Sequence, residues 1–146
     1  MSAKKVIRDK LDRAGIKKIC KRHGVLALYL FGSRAEGFSH AHSDIDLGVV
    51  FPRGKDLSDT LKLYRDLYFD FCDLFKTDKM DIVFLQRAGV LIADNALRGI
   101  LLYSADDKAR LEFEDYILMQ ALDFRPWIHQ YDKEMMEALR EEKSID

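Results

Sequence analysis

The chain has 146 residues, 48% of them hydrophobic and 34% charged, with a formal net charge of −1 at pH 7. That balance suits one folded domain spanning residues 1–146 and excludes a disordered chain. Near-neutral charge also excludes a general electrostatic grip on a duplex, so no direct nucleic-acid partner is expected.

Apolar positions at Val6, Ile7, Leu11, Ala14, Ile19 and Cys20 recur at roughly helical spacing from about Lys4 to His23, and Gly24 supplies the stop. The uncharged run from Val25 to Phe31 predicts a strand buried on both faces, ending at the Gly32-Ser33 turn. A second strand is expected from Asp44 to Phe51, closed by Pro52-Arg53-Gly54. A helix follows from a cap at Asp56 or Ser58, with an apolar stripe at Leu57, Leu61, Tyr64, Leu67, Phe71, Leu74 and Phe75. Lys79 to Gln86 predicts a third strand interrupted by Asp81. A short helix from Val90 to Arg98 stops at Gly99, and Ile100 to Tyr103 forms a fourth strand. From about 106 to 142 the chain reads as a helical C-terminal segment, with Pro126 as its one interruption. The expected fold is a small mixed α/β (α+β) domain, about four strands flanked by helices.

Cys20 and Cys72, the only cysteines, lie in the predicted helices without metal-ligand spacing, as expected of half-buried, reduced thiols. No apolar signal core follows Met1, and no run nears the roughly 20 apolar residues that span a bilayer. The expected location is the cytoplasm, with no membrane partner.

Chemistry concentrates at two places. Gly32-Ser33 ends a buried strand, where glycine lets backbone N–H groups approach a phosphate and the Ser33 hydroxyl adds a donor; Arg34 follows. Ten residues further on stand Asp44 and Asp46, which strand alternation puts on one face while Ile45, Leu47 and Val49 take the other. Gly48, on the face of the acids, is expected to leave open space above the strand. Two carboxylates so close repel by about 4 kcal/mol at an effective dielectric near 20. A cation relieves that repulsion, and Mg²⁺ is the natural one because it pairs one or two carboxylates with substrate phosphates. Asp81 sits alone among Met80, Ile82, Val83 and Phe84, where an unpaired carboxylate is expensive. If its strand neighbours the Asp44–Asp46 strand, three acids and two Mg²⁺ ions would clamp an in-line displacement at phosphorus.

The pattern Gly32-Ser33, Asp44-x-Asp46 and a later strand acid resembles the DNA polymerase β nucleotidyltransferase superfamily. Size, the Gly-Ser-Arg-Ala wording and Ser43-Asp44-Ile45-Asp46-Leu47 resemble its minimal nucleotidyltransferase (MNT) branch. Arg98 to Ser104, followed by Arg110-x-Glu112-Phe113-Glu114, is similar to MNT antitoxins, the partners of HEPN-domain toxins. The resemblance implies an antitoxin of a type VII-like module that transfers AMP from ATP to a tyrosine of its HEPN RNase toxin. It implies that Gly32 and Ser33 hold the triphosphate, that Asp44 and Asp46 ligate both metals, and that Asp81 completes the second metal and draws the acceptor proton.

Two rivals stand beside this reading. One is an antibiotic-type transferase for small molecules, which normally carries a second helical domain. The other is a non-catalytic module that neutralises a toxin by occlusion. His23, His40, His42 and His129 lack metal-ligand spacing, and the aromatic helix from Tyr64 to Phe75 reads as core rather than a base-stacking platform. Beyond Pro126, Trp127, Tyr131 and Met135 form a candidate partner surface for the HEPN toxin. The alternative for this segment is that it packs on its own sheet, and self-association is a separate expectation.

Overall fold

A computed structural model describes residues 12–32 and 45–145, with backbone only at 124–132 and 139–145. The described residues form four helices and four strands: α1 (Arg13–Arg22), β1 (Ala27–Phe31), β2 (Ile45–Val50), α2 (Thr60–Phe75), β3 (Met80–Phe84), α3 (Val90–Leu97), β4 (Ile100–Ser104) and α4 (Asp107–Ile145). The strands form one sheet in the order β3-β2-β1-β4. β1 pairs antiparallel with β2 and β4, whereas β2 and β3 run parallel across the α2 crossover, so the sheet is mixed as expected.

Local chemistry sets the element ends. The Asp12 carboxylate accepts the Gly15 N–H at 2.8 Å and caps α1, and the part of the predicted helix before Asp12 lies outside the described residues. Gly24, at φ +65°, ends the α1 turn where expected. α2 is capped by Asp59, which accepts the Lys62 N–H at 3.1 Å, and not by either expected residue. Asp56 instead accepts the Ser58 N–H at 2.9 Å in a turn that delays the helix until Thr60. Pro126 does not interrupt α4, whose assignment runs unbroken to Ile145. A proline removes one backbone donor, and a 39-residue helix keeps the rest.

Two apolar layers hold the helices to the sheet. α1 and α2 cover the face of Leu28, Leu30, Ile45, Leu47 and Val49, with Ile16, Leu67 and Phe71 fully enclosed. Each such side chain contributes about 1.5–3 kcal/mol of burial. α3 and α4 cover the opposite face, packing Ala93, Ala96 and Ile117 on Ala27, Tyr29 and Val50. The predicted stripe of α2 holds except at Leu61, which is 78% exposed while Leu57 and Leu63 beside it pack on the core. Cys20 is wholly buried rather than half-buried, and burial pushes its thiol up to about 12.

Candidate active site

Strand register brings the acids together. Phe31, the last residue of β1, pairs with Asp46, and Asp46 in turn pairs with Asp81 across the parallel β2–β3 ladder. Paired residues share a face, so Asp46 and Asp81 stand side by side on strands about 4.8 Å apart. Gly32 follows Phe31 at the same end of the sheet. Sequence alone made the approach of Asp81 conditional on strand order; β3 is the neighbour of β2.

Asp46 is 3% exposed and is the one buried charged residue among the described residues. Asp81, on the edge strand, is half-buried. A carboxylate withdrawn from water beside a second acid fits a site built for a hard cation, since both donors are oxygen. Ser33, Arg34, Asp44, His40 and His42 lie outside the described residues. Among the described residues no group of three or more His, Cys, Asp or Glu side chains is placed to hold a metal ion. Of the three expected acids, the described residues therefore show Asp46 and Asp81.

Gly48 does not open the space expected above β2. A Cβ there would lie 3.2 Å from Ala96 Cβ and 3.2 Å from both Leu85 methyls, so the missing side chain lets α3 close on the sheet. Gly99 allows an even closer approach. Its Cβ would fall 2.2 Å from the Leu30 carbonyl oxygen and 3.0 Å from Phe31 Cβ, which seats the start of β4 against the strand that leads to Gly32.

Sequence reasoning missed a polar brace under α4. Tyr29, 1% exposed at the centre of β1, donates its hydroxyl to Glu114 Oε1 at 2.6 Å, and Arg110 Nη1 donates to the same oxygen at 2.8 Å. Arg110 Nε also reaches Ser104 Oγ at 3.1 Å, tying α4 to the end of β4. Burial, then the Glu114 bond and charge, push the Tyr29 phenol far above its usual range. The Arg110–Glu114 pair had a signal in its four-residue spacing. Tyr29 had none.

The remaining candidates have structural tasks. His23 Nε2 meets Asp70 Oδ2 at 2.6 Å, bracing α1 against α2 at the sheet end opposite Gly32. Tyr64, Tyr68, Phe71 and Phe75 of α2 serve the core as expected, Tyr64 stacking on Tyr68 and tilting onto Phe84, whereas Phe69, partly outside the stripe, is 62% exposed. Burial, then the negative charge of Asp81, raise the Tyr64 phenol. Beside the acid-bearing end, Asp94, Leu97 and Arg98 of the α3 end face Glu114, Asp115 and Leu118 of α4 across a cleft of about 220 Å³. Arg98 is paired there with Asp94 at 3.2 Å. No helix among the described residues is long and apolar enough to cross a membrane.

Comparison with known proteins agrees with this geometry. Residues 14–108 match the family model described as Polymerase beta, Nucleotidyltransferase. No curated protein matches the sequence. Among solved structures, a chain of a toxin–antitoxin complex with AMP-PNP aligns at TM-score 0.62 and 20% identity, over 86% of this chain and 99% of that one. A chain from the complex of a tri-AMPylated Shewanella oneidensis HEPN toxin with MNT antitoxin aligns at TM-score 0.63 and 18% identity, over 86% and 97%. Another Shewanella oneidensis structure aligns at TM-score 0.63 and 14% identity, over 87% and 98%. At such identities the likeness establishes the fold, and the family match covers more than half of the sequence and both described acids. The chain belongs to the polymerase beta nucleotidyltransferase family.

Proposed function

We propose that this nucleotidyltransferase is an MNT antitoxin that transfers AMP from ATP to a tyrosine hydroxyl of a HEPN-domain toxin. The observation that carries the reading is the Asp46–Asp81 pair in register beside Gly32, within a matched nucleotidyltransferase domain. Structures with the same fold include a complex with AMP-PNP and a complex whose HEPN toxin is AMPylated.

In this reading Gly32 and Ser33 cradle the triphosphate, and Arg34 neutralises part of its charge. Asp44, Asp46 and Asp81 would hold Mg²⁺, which supplies charge neutralisation on the phosphates when bound. The tyrosine oxygen forms a bond to the α-phosphorus while the bond to the β-phosphate oxygen breaks. Pyrophosphate leaves, and the hydroxyl proton passes to the Asp81 carboxylate. Trp127, Tyr131 and Met135 belong to the toxin-facing surface; the side chains of Trp127 and Tyr131 lie outside the described residues. The cytoplasm is the compartment where such a pair acts.

The test uses ATP labelled at the α-phosphate, Mg²⁺ and the HEPN-domain protein of the same locus. Label on the HEPN protein supports the reading. Label only on an antibiotic-type small molecule would favour the small-molecule rival. Neutralisation of the HEPN RNase with no label transferred would favour occlusion alone.

A further inference from the structure

Total charge near zero averages two unlike parts of the chain. Residues 1–24 hold nine Lys and Arg against two Asp, whereas residues 25–146 hold fifteen against twenty-three Asp and Glu. The described share of the basic part is α1. Its apolar residues Ile16, Ile19 and Cys20 are buried on the sheet, and Arg13, Lys17, Lys18, Lys21 and Arg22 are all exposed, with no acid among them. Among the described residues only Arg22 of these five is in an ion pair, with Asp70 at 3.2 Å. Past the end of the helix Lys55 extends the row, its Nζ 3.0 Å from the point that a Cβ on Gly24 would take.

A solvated helix face normally mixes its charges, because opposite signs four residues apart attract and like signs repel. α1 sets Arg13 over Lys17, Lys17 over Lys21 and Lys18 over Arg22, which gives three like pairs and no opposite one. Lys21 and Arg22 suit the negative end of the helix dipole, but Arg13 stands in the first turn, at the positive end. An anion laid along the outside relieves this repulsion. What the face lacks narrows the choice of anion. Lys is depleted where proteins meet, and aromatic residues and Met are enriched, yet Ala14 is the one apolar residue exposed on α1. A lipid surface needs an apolar side to insert, and that side of α1 is held by the sheet. Cations repeating every four residues, about 6 Å along the axis, suit a chain of phosphates contacted through its backbone. A flexible single strand can follow this straight row, whereas the phosphates of a duplex curve away from it.

We infer that the exposed face of α1, continued by Lys55, binds the phosphate backbone of single-stranded RNA, the flexible polyanion that a cell holds in quantity. Arg13, Lys17, Lys18 and Lys21 supply the contacts, and the strand is held without selection of its bases. α1 packs on the sheet face of Ile45, Leu47 and Val49, and Asp46 alternates to the opposite face, so a bound strand leaves the acids open. The inference is independent of the adenylyltransferase reading.

The test follows the fluorescence anisotropy of a labelled oligouridine RNA with the full chain as salt is raised. Four phosphate contacts predict a slope of about −2.8 for log affinity against log salt, or about fiftyfold weaker binding between about 50 and 200 mM salt. Lys17→Gln combined with Lys21→Gln removes two exposed cations and should halve the slope, leaving about a sevenfold loss over the same range. Lys108→Gln combined with Lys133→Gln makes the same change in net charge on α4, across the sheet from α1, and should behave as wild type. Circular dichroism checks that both double variants fold, and neither should lose stabilisation by Mg²⁺ and ATP. Absence of RNA binding by wild type at about 50 mM salt overturns the inference. So does a slope that the Lys17 and Lys21 changes leave intact. Tighter binding of duplex DNA than of the RNA overturns the single strand as the ligand. A wild-type dimer that the α1 variant splits, with no RNA bound, gives the face to a second copy and overturns the inference as well. RNA binding as described by a chain that transfers no AMP supports it and overturns only the adenylyltransferase reading.

Discussion

Replacing Gly99 with alanine is expected to be the most damaging added methyl among the glycines whose surroundings are described. The new Cβ would sit 2.2 Å from the Leu30 carbonyl oxygen, against a normal contact of 3.4 Å or more. That oxygen is main chain within β1, a strand held on both sides by β2 and β4. No side-chain rotation relieves the clash, so the start of β4 must shift by about 1 Å. Overpacking of this kind typically costs 1–3 kcal/mol, and a backbone obstacle puts Gly99→Ala at the upper end, about 3 kcal/mol. Gly54 is the control. It has a φ of +84° and nothing within 4 Å of an added methyl, so Gly54→Ala meets only left-handed strain, about 1–2 kcal/mol. Urea unfolding of the two variants should rank them in that order. Because Leu30 and Phe31 lead directly to Gly32, Gly99→Ala should also weaken the stabilisation conferred by Mg²⁺ and ATP, and Gly54→Ala should not. A Gly99→Ala protein within about 0.5 kcal/mol of wild type would refute the reasoning from close approach.

Tyr29→Phe removes the hydroxyl from Glu114, which keeps its Arg110 bond at 2.8 Å, so a loss of about 1 kcal/mol is expected by urea unfolding. No loss would mean that the brace is not a stabilising contact. The Cys20 thiol, raised from 9.0 to about 12 by burial, favours the fold through its neutral form. That contribution is complete below pH 9.0 and is lost as pH rises toward about 12, so stability should fall across this window and Cys20→Ala should flatten part of the decline. An identical alkaline profile for wild type and Cys20→Ala would remove this thiol from the account.

Much of the architecture was legible because burial imposes periods on sequence. The uncharged run to Phe31 marked a strand enclosed on both faces, and the three-to-four spacing of Leu67 and Phe71 marked the buried side of α2. Element ends were harder to read, because several polar residues compete for each cap and only one has the right geometry, here Asp59 rather than Asp56 or Ser58. Alternation showed that Gly48 shares the face of Asp46, but not that Ala96 and Leu85 would fill the space above it. The Asp46–Asp81 pairing needed the strand order, and the Tyr29–Glu114 bond joins residues 85 positions apart. Contacts made between elements leave no local period, and they were the part sequence could not supply.

The central claim is that the Asp46–Asp81 pair drives AMP transfer to a protein acceptor. Its most direct test is intact-mass measurement of the HEPN-domain protein after incubation with this chain, Mg²⁺ and ATP, using wild type, Asp46→Asn and Asp81→Asn. The account predicts AMP added by wild type, and none by either variant although both remain folded. Addition of AMP at the wild-type rate by Asp46→Asn would contradict it.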